Sequence, residues 1–174
     1  TGTLDRVLTT ERLVAATQSA AAQAHSIALN SNAKRGSIGT IDLSGDTHAG
    51  SSAVVNLAGV TAATTTRGVS AGNNTLGGGA GDDVLSGGAG NDTLRGGAGN
   101  DTLDGGSGTD NASYSDASSA VRVDLSLTGA QDTLGSGSDT LASVENLTGS
   151  SHDDYLGGSA GNNTASARSA AASS

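Results

Sequence analysis

The sequence repeats itself every nine residues, and this period limits the fold more than any other feature. Three consecutive units read Gly-Gly-Ala-Gly-x-Asp-x-Leu-x over residues 78–104, where x varies. A fourth unit begins at Gly105, and an eroded unit containing Asn74 precedes them in register. A short and regular period of this kind predicts a solenoid, in which each unit stacks on its neighbours.

The two halves of each unit are expected to have different structures. The Gly-Gly-x-Gly-x-Asp half predicts a turn, since glycine permits the left-handed dihedrals that tight turns require. The other half predicts a minimal strand with one large apolar side chain facing inward. Such a short strand is stable only if it is paired above and below. Two facing strands need two turns per coil, so each coil should contain eighteen residues.

This geometry places residues that are eighteen apart over one another, about one strand spacing (~4.8 Å) away. Asp83 then lies under Asp101, and Asp92 lies under Asp110. Two carboxylates ~5 Å apart repel by about 0.8 kcal/mol in water and ~3 kcal/mol at an effective dielectric of 20. Ca²⁺ reverses the sign, because it accepts ~6–8 oxygen ligands at ~2.3–2.6 Å. The sequence therefore predicts calcium as the cofactor.

Three further positions carry weaker versions of the same pattern. Asn74 lies eighteen before Asp92 and offers a neutral amide oxygen, which predicts a weaker third site. Glu145 over Asn163 predicts another. The turn that ends at Asp154 has His152 where the repeat has its third glycine, and this histidine is interpreted as an exposed turn residue.

The composition indicates why a metal would be needed. The chain has 28 Gly, no Phe, Trp, Met, Cys or Pro, and two Tyr among 174 residues, so little apolar area is available for burial. Ordering one residue costs about 1–2 kcal/mol of backbone entropy, and one buried Leu gains roughly 1.5–3 kcal/mol. One leucine cannot order nine residues, so folding and metal binding are expected to be one process.

The net charge of −9 argues against a nucleic-acid partner and suits cations. The absence of cysteine excludes a disulfide framework and a thiolate metal site. No apolar run approaches the ~20 residues of a membrane span. Calcium sites of modest affinity operate where Ca²⁺ is plentiful, which predicts an extracellular location, secreted or at a cell surface.

The flanking regions predict a division into five parts. Thr9 or Thr10 as N-cap and an apolar stripe from Leu13 to Ala28 predict a helix. The five parts are a helical segment over 1–36, irregular short-strand coils over 37–68, the repeats over 69–113, an irregular solenoid with degenerate repeats over 114–165, and a disordered tail over 166–174.

The repeats resemble the RTX (repeats-in-toxin) family of calcium-binding nonapeptides, Gly-Gly-x-Gly-x-Asp-x-apolar-x. The stretch 120–163, with Val144-Glu145-Asn146-Leu147-Thr148-Gly149, also resembles the linking segments of large bacterial RTX surface proteins. The resemblance implies a right-handed parallel β-roll, Ca²⁺ in the turns and export by type I secretion.

The resemblance also implies the ligands, which are the sixth-position aspartates and carbonyl oxygens of the turns. For the pair Asp83 and Asp101 the implied carbonyls are those of Gly78, Ala80, Gly97 and Gly99. For the pair Asp92 and Asp110 they are those of Gly87, Ala89, Gly106 and Gly108.

Two functions remain open at this point. The sequence has no phosphate-binding loop, zinc-protease motif or nucleophile elbow. The leading hypothesis is a non-catalytic, calcium-stabilised extracellular structural protein: a surface-layer, adhesin or filament component. It would self-associate or bind a cell-surface partner, since open solenoid ends expose strand edges. The alternative is the C-terminal calcium-binding module of a secreted enzyme such as a protease or lipase.

Overall fold

A computed structural model describes residues 12–14, 24–28, 39–44, 51–58, 60–68, 71–161 and 163–166. Within these ranges the chain forms sixteen strands and no helix. In chain order they are β1 (Arg12–Val14), β2 (Ala24–Ala28), β3 (Thr40–Asp42), β4 (Ser52–Asn56), β5 (Thr65–Arg67), β6 (Thr75–Gly79), β7 (Val84–Ala89), β8 (Thr93–Gly97), β9 (Thr102–Ser107), β10 (Asn111–Ser113), β11 (Arg122–Asp124), β12 (Gln131–Asp132), β13 (Ser138–Ala142), β14 (Asn146–Thr148), β15 (Tyr155–Gly157) and β16 (Thr164–Ser166).

From β1 to β10, consecutive strands alternate between two seven-stranded sheets. One sheet has the order β1-β3-β5-β7-β9-β13-β12, and the other has the order β16-β14-β10-β8-β6-β4-β2. The pairing is parallel in both sheets, except that β12 is antiparallel to β13. Through the repeats the chain therefore crosses to the opposite sheet at every turn, which is the arrangement of a parallel β-roll.

The register of the repeats follows the eighteen-residue coil. Leu76 pairs with Leu94, and Leu85 pairs with Leu103. Immediately after the repeats the partners are about twice as far apart in sequence, since Leu103 pairs with Leu141, and the eighteen-residue spacing returns where Leu147 pairs with Ala165. The extra chain includes β11, which pairs with β15 in a separate two-stranded sheet.

Apolar side chains fill the space between the two sheets. The leucine of each repeat is fully buried, and so are the inward-facing apolar side chains of the coils that precede the repeats, whereas Val54 is exposed. The buried leucines, valines and isoleucine are Ile41, Leu43, Val55, Leu57, Val60, Leu76, Leu85, Leu94, Leu103, Val121, Val123, Leu141, Val144 and Leu147. Each coil contributes few large side chains, so the core is narrow and continuous along the stack.

The prediction of an N-terminal helical segment over 1–36 is wrong where this region is described. Arg12–Val14 and Ala24–Ala28 are strands, and they pair in parallel with β3 and β4. Alanine favours a helix intrinsically, but an alanine-rich stripe buries little apolar area, so a helix here would gain little from packing. Pairing with a neighbouring coil satisfies the same backbone groups. The remainder of the predicted helix lies outside the described residues.

Other parts of the predicted division can be compared with the strands. The range 37–68 contains β3, β4 and β5, and the range 114–165 contains β11 to β15 and most of β16. The predicted tail lies outside the described residues apart from Ser166, the last residue of β16. The described residues contain no helix with the length and hydropathy of a membrane span.

Replacing a repeat leucine should destabilise the stack. Leu94 is 0% exposed and pairs with Leu76 on one side and Ala112 on the other. Leu94→Ala should lower the free energy of unfolding by about 2–5 kcal/mol in saturating calcium, because a cavity forms that the neighbours cannot fill. Urea denaturation followed by circular dichroism measures the change. The matched control is Leu127→Ala, since Leu127 is 49% exposed; equal losses for the two variants would contradict the assigned core.

Candidate calcium sites

The sixth-position carboxylates of the repeats stack as the eighteen-residue coil predicts. Asp101 Oδ1 accepts a hydrogen bond from the backbone N–H of Asp83 at 2.9 Å. Asp110 Oδ1 accepts the equivalent bond from Asp92 at 2.7 Å. Each carboxylate therefore lies over the backbone of its partner one coil away, and the two predicted pairs are brought together.

The same hydrogen bond extends both columns beyond the repeats. In the first column Asp83 Oδ1 accepts the Thr64 backbone N–H, and Asp139 Oδ1 accepts that of Asp101. In the second column Asp92 Oδ1 accepts the Asn74 backbone N–H, and Glu145 Oε2 accepts that of Asp110. The two columns in order are Thr64–Asp83–Asp101–Asp139 and Asn74–Asp92–Asp110–Glu145.

The second oxygen of each repeat carboxylate is buried without a hydrogen-bond partner. This holds for Oδ2 of Asp83, Asp92, Asp101 and Asp110, and all four residues are at most 1% exposed. A buried carboxylate oxygen with no donor is costly unless a cation or a proton compensates it. Four such atoms in successive repeat turns form a regular array of unsatisfied acceptors.

A backbone carbonyl faces two of these oxygens across a space that glycine leaves free. A Cβ added to Gly78 would collide with Asp83 Oδ2 and would lie 2.7 Å from the Gly96 carbonyl oxygen. A Cβ added to Gly87 would meet Asp92 Oδ2 and the Gly105 carbonyl oxygen in the same way. Two acceptors directed at one small space fit a hard cation, which is bound by oxygen ligands.

Asn74 places a hydrogen-bond donor where the repeat aspartates place an unpartnered carboxylate oxygen. Its Oδ1 accepts the Ala53 backbone N–H at 2.9 Å, which fixes the orientation of the amide. Its Nδ2 therefore occupies the place of the aspartate Oδ2 and donates to the Gly87 carbonyl at 2.9 Å and to Gly72 at 2.7 Å. The predicted role of Asn74 as a ligand stays a prediction, and its amide nitrogen rather than its oxygen faces the Gly87 carbonyl.

Burial and mutual repulsion raise the pKa values of the aspartate carboxyl groups in the two columns. Desolvation is the largest effect on Asp83, Asp92, Asp110 and Asp139, and it raises the pKa of each. Desolvation also raises the pKa of Asp101 to about 7, with smaller contributions from the charges of Asp139 and Asp83 and an opposing one from the Asp83 N–H. The metal-free columns therefore disfavour ionised carboxylates.

Of the predicted carbonyl ligands, three lie in the turns that follow the repeat strands and five lie near the ends of β6 to β9. Those in the turns are Ala80, Gly99 and Gly108, and those in the strands are Gly78, Gly87, Ala89, Gly97 and Gly106. Gly97 pairs with Gly79 and has φ 111°, and Gly99 has φ 139°. A Cβ on either would collide with a carbonyl oxygen of the turn below, so these two positions require glycine. The backbone N–H groups of Ala80 and Gly99 donate to Val60 and Ser136, respectively. The second turn repeats this pattern at Gly87, Ala89, Gly106 and Gly108, one unit later.

Sequence reasoning missed two features of the columns. Asp139 lies above Asp101, although Gly137 and Asp139 keep the spacing of the fourth and sixth repeat positions. Glu145 lies above Asp110, whereas the sequence predicted a site for it with Asn163. The cause is the insertion between β10 and β13, which changes the pairing distance and cannot be counted from the repeat period.

The turn before β15 contains a further buried oxygen. Asp154 Oδ1 accepts bonds from Ser150 Oγ at 2.6 Å and from the Val121 N–H at 2.9 Å, and its Oδ2 has no partner. His152 is exposed. The coil below presents Val121 rather than a carboxylate, so this turn lacks the paired carboxylates of the repeats.

Exposed asparagines form a second hydrogen-bond ladder outside the carboxylates. Asn73 Oδ1 accepts the Asn91 backbone N–H at 2.8 Å, and Asn91 Oδ1 accepts that of Thr109 at 3.0 Å. The fifth repeat position thus links successive turns through neutral groups in this column, whereas in the other column Asp82 Oδ1 accepts the Asn100 backbone N–H at 2.8 Å. Among the described residues, no group of three or more His, Cys, Asp or Glu side chains converges on one point. Any cation in the turns would therefore need carbonyl oxygens besides the carboxylates.

The comparison with known families agrees with this geometry. The profile of the RTX calcium-binding nonapeptide repeat (4 copies) matches residues 70–94, 77–112 and 146–165. The chain carries RTX calcium-binding repeats. These repeats bind Ca²⁺, which confirms the predicted cofactor. No curated protein and no solved structure matches this chain. When bound, Ca²⁺ supplies positive charge to acceptors that otherwise repel one another.

The metal-free coils should lose stability as the pH rises. Folded Asp101 keeps its proton up to about pH 7, whereas the unfolded carboxyl releases it near ~3.9. The folded state binds more protons between these values, so its stability falls as the pH rises through that window. Circular dichroism in metal-free buffer from pH 4.5 to 8 measures the effect, and Asp101→Asn should reduce it. Folding that improves with rising pH in metal-free buffer would contradict this assignment.

Asp92→Asn should make the second column less dependent on calcium. An amide there can keep the bond from the Asn74 N–H and donate to the Gly105 carbonyl, as Asn74 does to Gly87. We expect more strand signal than wild type in metal-free buffer and a smaller gain on adding calcium. Asp92→Ala is the matched control, because it removes the charge and supplies no donor. The assignment fails if the two variants are equally unfolded without metal.

Proposed function

We propose that this protein is a calcium-stabilised extracellular structural protein of bacterial origin, with no catalytic activity of its own. The observation that carries the proposal is the pair of buried carboxylate columns. Their unpartnered oxygens are spread along the stack, one turn after another, rather than gathered in one cleft. Calcium distributed in this way would hold coils together and would not polarise a single substrate.

We assign two sites within the three complete repeats and the fourth unit. The first contains the carboxylates of Asp83 and Asp101, with the carbonyls of Gly78, Ala80, Gly97 and Gly99 as its implied ligands. The second contains Asp92 and Asp110, with Gly87, Ala89, Gly106 and Gly108. The facing acceptors beside Gly78 and Gly87 support this assignment, and they add the carbonyls of Gly96 and Gly105 as candidates.

The role outside the cell follows from the energetics of the columns. In calcium-poor surroundings the buried carboxylates oppose folding, and in calcium-rich surroundings they support it. Export in an unfolded state by type I secretion and folding on arrival would exploit this difference. A surface-layer, adhesin or filament component would use the folded stack as a spacer or an assembly unit.

The alternative is a C-terminal calcium-binding module of a secreted enzyme, for which the same stack would act as a folding aid. The structural role predicts end-to-end assembly of this chain alone, through strand edges at the ends of the stack. The module predicts a calcium-folded monomer.

A calcium titration tests the proposed function. The strand signal in circular dichroism should rise with Ca²⁺, and Mg²⁺ should have little effect, since Mg²⁺ prefers a smaller octahedral site and dehydrates reluctantly. Light scattering and electron microscopy of the same samples should show ordered assemblies if the structural role is correct. A chain that is equally folded in excess chelator would contradict the metal-coupled account, and a calcium-folded monomer would favour the enzyme module.

A further inference from the structure

The coil above the last complete repeat breaks the nine-residue period. The strand Asn111–Ser113 pairs with Asn146–Thr148, and the long connection between them carries β11, β12 and β13. The residues just before Asn146 lie outside the segments that match the repeat family. No repeat motif therefore assigns a ligand to this coil.

Glu145 nevertheless takes the place of a sixth-position aspartate. Its Oε2 accepts the Asp110 backbone N–H at 2.8 Å, just as Asp110 Oδ1 accepts the Asp92 backbone N–H at 2.7 Å. The turn that carries it is shorter, since Leu141 and Leu147 are six residues apart and the repeat leucines are nine apart. The additional methylene of glutamate compensates for the shorter turn.

A carbonyl oxygen completes the resemblance to the repeat turns. A Cβ on Gly105 would lie 2.6 Å from Asp110 Oδ2 and would also collide with the Ser143 carbonyl oxygen. This is the arrangement beside Gly87, where Asp92 Oδ2 faces the Gly105 carbonyl. Asp110 is 0% exposed, and its Oδ2 has no hydrogen-bond partner. The unpartnered oxygen is therefore directed at a space that a second acceptor also faces.

We propose that Asp110, Glu145 and the Ser143 carbonyl form a further Ca²⁺ site, which joins the fourth repeat unit to β14. The proposal rests on the proposed function, because it uses the same ion and the same column. Its consequence differs, since this ion would close the long connection between β10 and β14. Calcium would then fix the insertion as well as the repeats.

Glu145→Gln separates a ligand from a simple hydrogen-bond acceptor. Glutamine can still accept the Asp110 N–H, so a purely structural role predicts no change in calcium binding. A ligand role predicts one fewer Ca²⁺ per chain by equilibrium dialysis of the full chain against ⁴⁵Ca²⁺. Asp153→Asn is the charge-matched control, since Asp153 is exposed and lies outside the columns. An unchanged number of ions in Glu145→Gln would overturn the proposal.

A measurement on the wild-type chain avoids any question of variant folding. The ¹³C chemical shift of the Glu145 carboxylate should change during the calcium titration if it binds the ion. A resonance that stays constant while the backbone amides of the repeats shift would overturn the Glu145 site and leave the proposed function standing. A chain whose repeat amides do not respond to calcium would overturn both.

Discussion

The fold depends on hydrogen-bond acceptors, carboxylate and carbonyl oxygens, that face one another between the coils of the solenoid. Each repeat turn directs a carboxylate oxygen and, beside Gly78 and Gly87, a carbonyl oxygen at the same space. Neither group can donate, so this contact is unfavourable until a cation or a proton enters it. Glycine is required here because a side chain would fill the space. The composition of the repeat cannot supply enough apolar burial to stabilise it. Ion binding in the spaces that the turns create supplies the stabilisation instead.

Much of this arrangement could be predicted from the period of the sequence. The eighteen-residue coil gave the partners of Leu76, Leu85, Asp83 and Asp92 correctly, because regular stacking turns a spacing in sequence into a contact in space. The calcium ion followed from the charge that such contacts bring together. The RTX resemblance was confirmed over the repeats and over residues 146–165.

The other features of the fold and of the columns could not be predicted from the sequence, for physical reasons. After the insertion the chain returns to the stack, but the separation in sequence between residues stacked across the insertion does not follow the repeat period. Asp139 and Glu145 were therefore not placed on their columns. The N-terminal stripe was predicted as a helix, because alanine periodicity carries little information when a strand partner can satisfy the backbone. The role of Asn74 depended on which amide atom faces Ala53, and a sequence does not specify that orientation.

The columns stop at one end, where Thr64 and Asn74 replace carboxylates. Thr64 donates to Asp83 from both its N–H and its hydroxyl, and Asn74 donates to the Gly87 carbonyl. The described part of 39–68 buries Ile41, Leu43, Val55 and Leu57 and no carboxylate. The described turns at this end of the solenoid are therefore joined by hydrogen bonds and present no buried carboxylate for a cation to compensate. Calcium would act along the columns from Asp83 and Asp92 onward and not on the coils before them, which gives the metal-dependent part of the stack a direction.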